Sequence, residues 1–231
     1  MNPSNKPLLR VAADIGGTFT DVAVEDGIAR YTAKVLTTPR APEEGVLDGL
    51  ASALEKAGKG IADVDVFLHG TTLATNALIE RKGARLAFVT TEGFRDVLET
   101  GYEKRFEQYD INMDRPPPLV PRHRRLTVIE RMAADGSVLT ELDEGALEAM
   151  IPTLKAEGVE AIAIGFLHSY VNAAHERRAR DVLAEHLPDV AITISGDVSP
   201  EIREYDRFST ACANAYVQPL MAGYLGRLSD A

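Results

Sequence analysis

The alternation of hydrophobic and polar positions at the start of the chain predicts three consecutive β-strands. Strand-like runs occupy residues 8–14, 19–25 and 28–35, and the dipeptide Asp26-Gly27 separates the last two. Because Asp-Gly between two such runs is a strong hairpin signal, the chain is expected to open with antiparallel strands.

Farther along the chain, helical and strand-like patterns of hydrophobic positions alternate. Apolar residues recur at helical spacing in residues 43–57, where we predict a helix. The later predicted elements are a strand at 64–68, a helix at 71–81, a strand at 85–90, a short helix start at 93–99, a hairpin of 126–132 with 138–139, a helix at 144–157, a strand at 161–167, a helix at 174–186, a strand at 191–195 and a mostly helical segment at 201–228. The alternation after residue 144 predicts a βαβ unit with a parallel strand pair. The predicted class is α/β, with a mixed sheet flanked by helices.

Residues 100–125 show neither the helical nor the strand-like pattern of hydrophobic positions. They are rich in aromatic, charged and proline residues. A loop of this length is usually functional or mobile, and a solvated excursion is the alternative. Arginine binds carboxylates through paired hydrogen bonds, so Arg105 and Tyr109 in this loop are candidates for clamping a carboxylate-bearing substrate.

Composition and charge exclude several classes of protein. The 231 residues include 25 Lys and Arg against 35 Asp and Glu, a net charge of −10 that argues against sequence-independent nucleic-acid binding. No apolar run reaches the roughly 18 residues of a membrane span, and the first residues lack the layout of a secretory signal. The single cysteine, Cys212, is predicted to be an inert buried thiol, and a cytoplasmic location is expected. His168, His175 and His186 are scattered without further spaced ligands, so no zinc site is predicted.

The segment Asp-Ile-Gly-Gly-Thr-Phe-Thr-Asp at 14–21 combines groups that can hold a phosphate and a metal ion. Glycines let backbone N–H groups approach phosphate oxygens, hydroxyls can donate to them, and a carboxylate can hold Mg²⁺ or its waters. The residues given these roles are Asp14, Gly16, Gly17, Thr18, Thr20 and Asp21, with Asp14 and Asp21 as the metal candidates. The segment is neither a Walker A loop nor a Rossmann fingerprint, and a tight turn capped by Asp and Thr is the alternative.

A second group of candidates follows the predicted strand at 64–68. His69 can polarise a substrate carbonyl or help to position phosphate through the next helix N-terminus, and a structural histidine is the alternative. Gly70 precedes Thr71 and Thr72, which can cap the helix or bind an anion because both use the same free N–H groups. Asn76, a poor helix former one turn into that helix, is a further candidate.

Several separated motifs resemble a known family. The 14–21 segment on its hairpin resembles the first phosphate motif of the actin, sugar kinase and Hsp70-type ATPase superfamily. The chain further resembles the N-terminal region of the hydantoinase A and 5-oxoprolinase family at 69–76 (His-Gly-Thr-Thr-Leu-Ala-Thr-Asn), 81–84 (Arg-Lys-Gly-Ala), 90–96 (Thr-Thr-Glu-Gly-Phe-Arg-Asp), Asp110, Glu130-Arg131, 199–207 (Ser-Pro-Glu-Ile-Arg-Glu-Tyr-Asp-Arg) and 214–216 (Asn-Ala-Tyr). Within 199–207, the charged residues either form an ion-pair network on a solvated helix or line a cleft or domain interface.

The resemblance implies an actin-like, ribonuclease H-like ATPase fold and a subunit of an ATP-dependent cyclic amidohydrolase that uses ATP and Mg²⁺. In this family ATP phosphorylates a lactam or imide carbonyl oxygen, and water then opens the activated ring of a hydantoin or of 5-oxoproline. The implied catalytic residues are His69, Asn76 and Asp14, and the implied substrate-facing residues are His69, Gly70, Thr71 and Thr72. Arg105 and Tyr109 join the substrate-binding candidates through the loop chemistry described above, independently of the resemblance.

Three alternatives stay open: a ketone carboxylase subunit of the same family, a small-molecule kinase of the actin-like superfamily, and a non-catalytic nucleotide-binding domain. Family members continue with a second phosphate motif and an adenosine-binding region, which this sequence lacks. We therefore expect residues 1–200 to form the N-terminal domain and 201–231 the helical start of a following domain, so that the isolated chain is inactive. A B-type subunit is the implied partner, and the apolar face of the last helix predicts homo-oligomers or aggregation of the isolated chain.

Overall fold

The structure, a computed structural model, describes residues 8–38, 41–102, 109–110, 112 and 116–230. Packing divides the chain into two units. One contains the chain up to Lys82 together with the chain from Leu220 onward, and the other contains residues Gly83–Pro219. The division expected from the sequence, at residue 200, rests on the family resemblance and stays a prediction.

The first unit is built on a mixed four-stranded sheet in the order β3-β2-β1-β4. Its elements are β1 (Leu9–Ile15), β2 (Phe19–Asp26), β3 (Ala29–Leu36), helix α1 (Pro42–Ala57), β4 (Val66–Thr71) and the short helix α2 (Leu73–Ile79). The first three strands are antiparallel, and β4 runs parallel to β1. Asp26 pairs with Ala29 around Gly27, whose φ is 62°, so the predicted Asp-Gly hairpin is confirmed.

Helix α1 covers one face of this sheet because alternate residues of β1, such as Val11, are apolar and buried there. Gly49 lets the helix approach the sheet closely, since a Cβ at this position would lie 2.7 Å from Cγ2 of Val22. The last turns of helix α7 (Glu204–Asp230) add the buried Tyr224 to the same core. The other face of β1 is exposed.

An ion pair links α1 to the end of α7, where Arg227 hydrogen-bonds to Glu43. This hydrogen bond holds the pKa of Glu43 below its ordinary value of 4.5. A carboxyl group with a lowered pKa contributes stability above its ordinary pKa, and that contribution is lost as the pH falls through the lowered value. We expect Glu43→Gln to flatten the fall in the thermal unfolding midpoint between about pH 5 and pH 3, measured by circular dichroism. The exposed neighbour serves as the control: Glu44→Gln should keep the wild-type slope, and an equally steep slope in Glu43→Gln would contradict the assignment.

The second unit is built on a parallel four-stranded sheet in the order β10-β9-β5-β6. Its elements include β5 (Leu86–Thr91), α3 (Val97–Thr100), β6 (Arg125–Val128), α4 (Glu144–Ala156), β9 (Ala161–Gly165), α5 (Ala174–His186), β10 (Ala191–Ile194), α6 (Ser195–Val198) and the first part of α7. Strands β5 and β9 are buried throughout because α4 and α5 cover one face, while Phe208 of α7 packs against Phe88 on the other at 5.3 Å between ring centroids. The predicted βαβ unit is confirmed as β9-α5-β10.

The prediction of one strand over residues 126–132 is wrong. Strand β6 pairs in parallel with β5, and only β7 (Arg131–Met132) forms a hairpin with β8 (Val138–Thr140). The break falls at the buried Glu130, whose carboxylate accepts a hydrogen bond from Thr91 and lies 2.9 Å from Nδ1 of His175. The pairing of β6 with β5 ends at Val128, and Glu130 beyond it is tied to Thr91 of β5 and His175 of α5.

The α/β class with a mixed sheet, a hairpin start and flanking helices is confirmed. Cys212 is buried as predicted, and burial raises the pKa of its thiol. In the described ranges, no helix has the length and apolar character needed to cross a bilayer.

Candidate functional site

The turn between β1 and β2 presents backbone donors that no described residue accepts. Gly16 N–H donates to the carbonyl of Phe19 at 2.9 Å and closes the turn. Within the described part of the chain, the N–H groups of Gly17 and Thr18 donate to no acceptor. Neighbouring free N–H groups in a glycine turn form a concave site that suits an anion such as a phosphate.

Two threonines hold the shape of this turn from its buried side. Thr37 donates through Oγ1 to the carbonyl of Gly16 at 2.9 Å and through its N–H to the carbonyl of Thr18 at 2.9 Å. Thr20 is fully buried, and its hydroxyl lies 3.1 Å from Oγ1 of Thr37. Thr20, which the sequence assigned to the phosphate, therefore lies on the core side of β2 and supports the turn indirectly.

A row of four residues crosses the exposed face of the first sheet. Strand register places Gly70 of β4 beside Asp14 of β1, Asp14 opposite Asp21 of β2, and Asp21 opposite Lys34 of β3. Lys34 Nζ lies 2.9 and 3.0 Å from the two carboxylate oxygens of Asp21. The carboxylate of Asp14 has no hydrogen-bond or ion-pair partner among the described residues, although a second carboxylate faces it across the strands. Because Lys34 already neutralises Asp21, the charge that remains open to a further cation is that of Asp14.

Gly70 keeps the space beside Asp14 open. A Cβ built on Gly70 would lie 3.5 Å from Oδ1 of Asp14, so any larger side chain would fill the space in front of the carboxylate. The row borders a depression of about 520 Å³ on the exposed face of the sheet. The Asp14 carboxylate thus faces open space large enough for a small molecule.

Helix α2 brings Asn76 to the same turn. Thr72 ties α2 to the end of β1, because its N–H and its hydroxyl donate to the carbonyl of Ile15 at 3.2 and 3.3 Å. Asn76 Nδ2 donates to Oγ1 of Thr72 at 3.2 Å, and a Cβ on Gly17 would lie 3.5 Å from the same Nδ2. Thr71, the last residue of β4, instead makes a local turn, since its Oγ1 accepts a hydrogen bond from Leu73 N–H at 3.0 Å, and Thr72 takes the N-cap position without a side-chain cap hydrogen bond.

The side chain of His69 lies on the opposite face of the sheet. His69 pairs with the buried Ala13, one position away from the pair of Gly70 with Asp14, and successive strand residues point to opposite faces. Its Nε2 forms a hydrogen bond of 2.8 Å with the hydroxyl of Tyr224, and burial raises the pKa of Tyr224 to about 12. The structure therefore brings Asn76 to the glycine turn, and it places the His69 imidazole on the face opposite the Asp14 carboxylate.

The remaining sequence candidates are placed elsewhere. Arg105 lies outside the described residues, and Tyr109 belongs to the second unit, where its side chain is 90% exposed. Over the described ranges, no three His, Cys, Asp or Glu side chains gather into a closed metal site. Mg²⁺ commonly takes only one or two protein carboxylates and completes its shell with waters and phosphate oxygens, so Asp14 and Asp21 fit this ion.

Sequence reasoning missed Lys34, Thr37 and Tyr224. Lys34 had a signal, because counting back from the Asp-Gly turn places it opposite Asp21. The sequence carries no signal for Thr37 or Tyr224, since their contacts with Gly16 and His69 form only in the folded chain.

The fold and this site define an α/β protein that presents a glycine turn and two facing carboxylates on an open sheet face. The chain belongs to the hydantoinase/oxoprolinase family, whose N-terminal region matches residues 10–187. This result confirms the resemblance found in the separated motifs.

Three relatives show how the chain compares with known proteins. It is 37% identical to the caprolactamase subunit alpha of Pseudomonas jessenii, over 97% of this chain and 33% of that protein. The crystal structure of the ATP-dependent caprolactamase from the same organism superposes with a TM-score of 0.85, over 95% of this chain and 33% of that one. It is 31% identical to the 5-oxoprolinase of Saccharomyces cerevisiae, over 96% of this chain and 20% of that protein. A nucleotide-free structure of acetone carboxylase, from work on ATP-dependent acetone carboxylation, gives a TM-score of 0.86 at 26% identity, over 98% of this chain and 34% of that one. The chain thus spans between 20% and 34% of the length of these relatives.

Proposed function

We propose that this chain is the N-terminal part of a subunit of an ATP-dependent cyclic amidohydrolase. The observation that carries the proposal is the unpaired Asp14 carboxylate, which lies beside the free N–H groups of Gly17 and Thr18 on an open sheet face. The relatives support the substrate class, because caprolactam and 5-oxoproline are both cyclic amides. The ATP dependence named for the caprolactamase supports the use of a nucleotide.

Each residue of the site has a role in this proposal. The N–H groups of Gly17 and Thr18, with the Thr18 hydroxyl, bind phosphate oxygens, while Asp14 and Asp21 hold Mg²⁺ or its waters. Asn76 lies at Gly17 and orients the ring carbonyl through its amide. When bound, ATP with Mg²⁺ supplies the phosphoryl group that turns an unreactive amide oxygen into part of a good leaving group.

His69 is a positioning residue in this proposal. Its hydrogen bond to Tyr224 holds the end of β4 against α7, and β4 carries Gly70 to its place beside Asp14. The imidazole therefore acts on the site through the backbone of the next residue.

The partner and the location belong to the same proposal. The caprolactamase relative is named as a subunit, which supports a B-type partner that supplies the hydrolytic half-reaction. A further part of a longer protein would complete the nucleotide site, because the relatives are at least three times longer than this chain. The single cysteine, buried and unpaired, fits a cytoplasmic location.

Product analysis tests the proposal. The full-length protein with its partner subunit is incubated with ATP, Mg²⁺ and one ring compound at a time, namely 5-oxoproline, hydantoin or caprolactam. We expect free phosphate and the ring-opened acid in equal amounts, and phosphate release that depends on the ring compound. A stable phosphoester would show a kinase, and nucleotide binding without turnover would show a non-catalytic domain.

A ketone carboxylase is the second candidate function, favoured by the superposition on acetone carboxylase. The two activities can be distinguished by the co-substrates that ATP consumption requires. A carboxylase consumes ATP only when both bicarbonate and a ketone are present, whereas an amidohydrolase requires neither.

A further inference from the structure

Two segments that are far apart in the sequence meet at a pocket in the second unit. The residues from Gly93 to Tyr102 form one side, and Arg203 to Tyr205 form the other, around a volume of about 410 Å³. Both segments overlap motifs that the sequence analysis singled out, at 90–96 and 199–207. The site at Asp14 uses neither of them.

The walls of this pocket are aromatic. Phe94, Tyr102 and Tyr205 line it, and the two tyrosine rings meet edge to face at 5.0 Å between centroids. The hydroxyl of Tyr102 is already engaged as a donor to Asp206, so the ring offers its apolar surface to the pocket. Such walls suit a flat or cyclic apolar body.

Among the described residues that line the pocket, Arg203 is a cation without an ion-pair partner. Asp96 receives two hydrogen bonds from Arg122, at 2.9 and 3.0 Å, which hold the pKa of Asp96 below its usual value. Glu204 lies 3.9 Å from the buried guanidinium of Arg207. Arg203 is exposed, and in the described part of the chain its guanidinium has neither a hydrogen bond nor an ion pair. Arg203 is therefore the lining residue whose positive charge is available to a ligand, and Asp206 beside this wall is engaged by the Tyr102 hydroxyl.

Arg203 occupies a backbone position that is unfavourable for arginine in two ways. Its φ is 91°, a region that glycine adopts readily and that costs other residues energy. It also directly precedes α7, and its carbonyl accepts a hydrogen bond from Arg207 N–H at 3.2 Å, which makes it the N-cap residue. Ser, Thr, Asp, Asn and Gly are the residues that stabilise an N-cap. An arginine that destabilises the backbone at its position and also lines a pocket indicates that its side chain has a functional role there.

We propose that this pocket binds a small ring-bearing carboxylate, which Arg203 recognises through its guanidinium while the aromatic walls hold the ring. The proposal goes beyond the reaction at the Asp14 site, because it assigns a second binding site and does not depend on the use of ATP.

Calorimetry on the full-length protein without nucleotide tests the proposal. The probes are 5-oxoproline, cyclohexanecarboxylate and benzoate, and each is compared with its uncharged counterpart, 2-pyrrolidinone, cyclohexanecarboxamide or benzamide. We expect saturable binding of at least one carboxylate and at least about tenfold weaker binding of its uncharged counterpart, the loss expected when a charge-assisted hydrogen bond is removed. Absence of binding by all three carboxylates, or equal affinity for a charged and uncharged pair, would overturn it.

Two variants locate the site. Arg203→Gly removes the guanidinium while it relaxes the backbone, so we expect affinity to fall at least about tenfold and the thermal unfolding midpoint not to fall. Arg203→Gln removes the charge and leaves the backbone constraint, and it should lose affinity equally. The matched control is Arg81→Gly, at a position of the first unit where φ is 56°, and it should bind as the wild type does. Wild-type affinity in both Arg203 variants would overturn the assignment, and it would do so whether or not the protein opens cyclic amides.

Discussion

Asp14→Asn in the full-length protein is expected to lower kcat/KM for ATP-dependent ring opening by about 10²–10³-fold, the size of effect seen when one preorganised electrostatic contact at a reacting centre is removed. The substitution keeps the shape of the side chain and removes the charge that faces the open depression. Because the proposed Mg²⁺ contact uses that charge, raising the Mg²⁺ concentration should restore part of the activity. The measurement is phosphate release with a cyclic amide, repeated over a Mg²⁺ titration.

The same variant should not weaken the fold. Asp14 and Asp21 occupy directly opposed positions on antiparallel strands, where like charges are destabilising, so loss of one charge should leave the free energy of unfolding unchanged or raise it. Asp48→Asn, on the exposed side of α1, is the control and should keep both activity and stability. Wild-type kcat/KM in Asp14→Asn would remove Asp14 from the site, and a large loss of stability would mean that the carboxylate serves the fold instead.

The local part of the site could be predicted from the sequence because it depends on short-range rules. The Asp-Gly turn fixes the register of β2 against β3, and that register alone places Lys34 opposite Asp21. The glycine turn follows equally from its own residues. For the same reason the helix and strand order after residue 144 was predicted nearly to its boundaries.

The placement of His69 could not be predicted, because it depends on a non-local pairing. The motif at 69–76 suggests one continuous substrate-facing surface, but within a strand neighbouring residues face opposite ways. Which of His69 and Gly70 faces Asp14 is decided by the parallel register of β4 on β1. The partner that then takes up His69 is Tyr224, which lies 155 residues farther along the chain.

The second unit contains a buried arginine and a buried glutamate that share hydrogen-bond partners, and loss of the arginine should have the largest effect on stability. Arg207 is fully buried and donates to the hydroxyl of Ser195 at 3.2 Å, to the carbonyl of Glu201 at 2.8 Å and to the carbonyl of Phe166 at 3.0 Å. Glu176, also fully buried, accepts from Phe166 N–H at 2.8 Å and from the Ser195 hydroxyl at 2.6 Å. The two charges therefore share two partners and hold the segment after β9 from both sides.

Arg207→Met is expected to destabilise the second unit by about 3–5 kcal/mol, since it removes three hydrogen bonds of a buried guanidinium and leaves the buried Glu176 without a nearby positive charge. The exposed Arg177→Met is the control and should stay close to the wild type. The measurement is urea unfolding of the full chain, with hydrogen exchange of the β9 amides to report on this unit separately.

The pH dependence of the stability of Arg207→Met shows whether loss of the positive charge causes the destabilisation. Burial already raises the pKa of Glu176, and removing the neighbouring cation raises it further. The folded variant then holds a proton that the unfolded chain releases above the ordinary carboxyl pKa of 4.5, so its stability should fall as the pH rises from about 5 to 8. Glu176→Gln combined with Arg207→Met removes both charges and should be less destabilised at pH 8 than Arg207→Met alone. If instead the loss were the same at both pH values and the two substitutions simply added, Arg207 would stabilise the unit by packing and not by its charge.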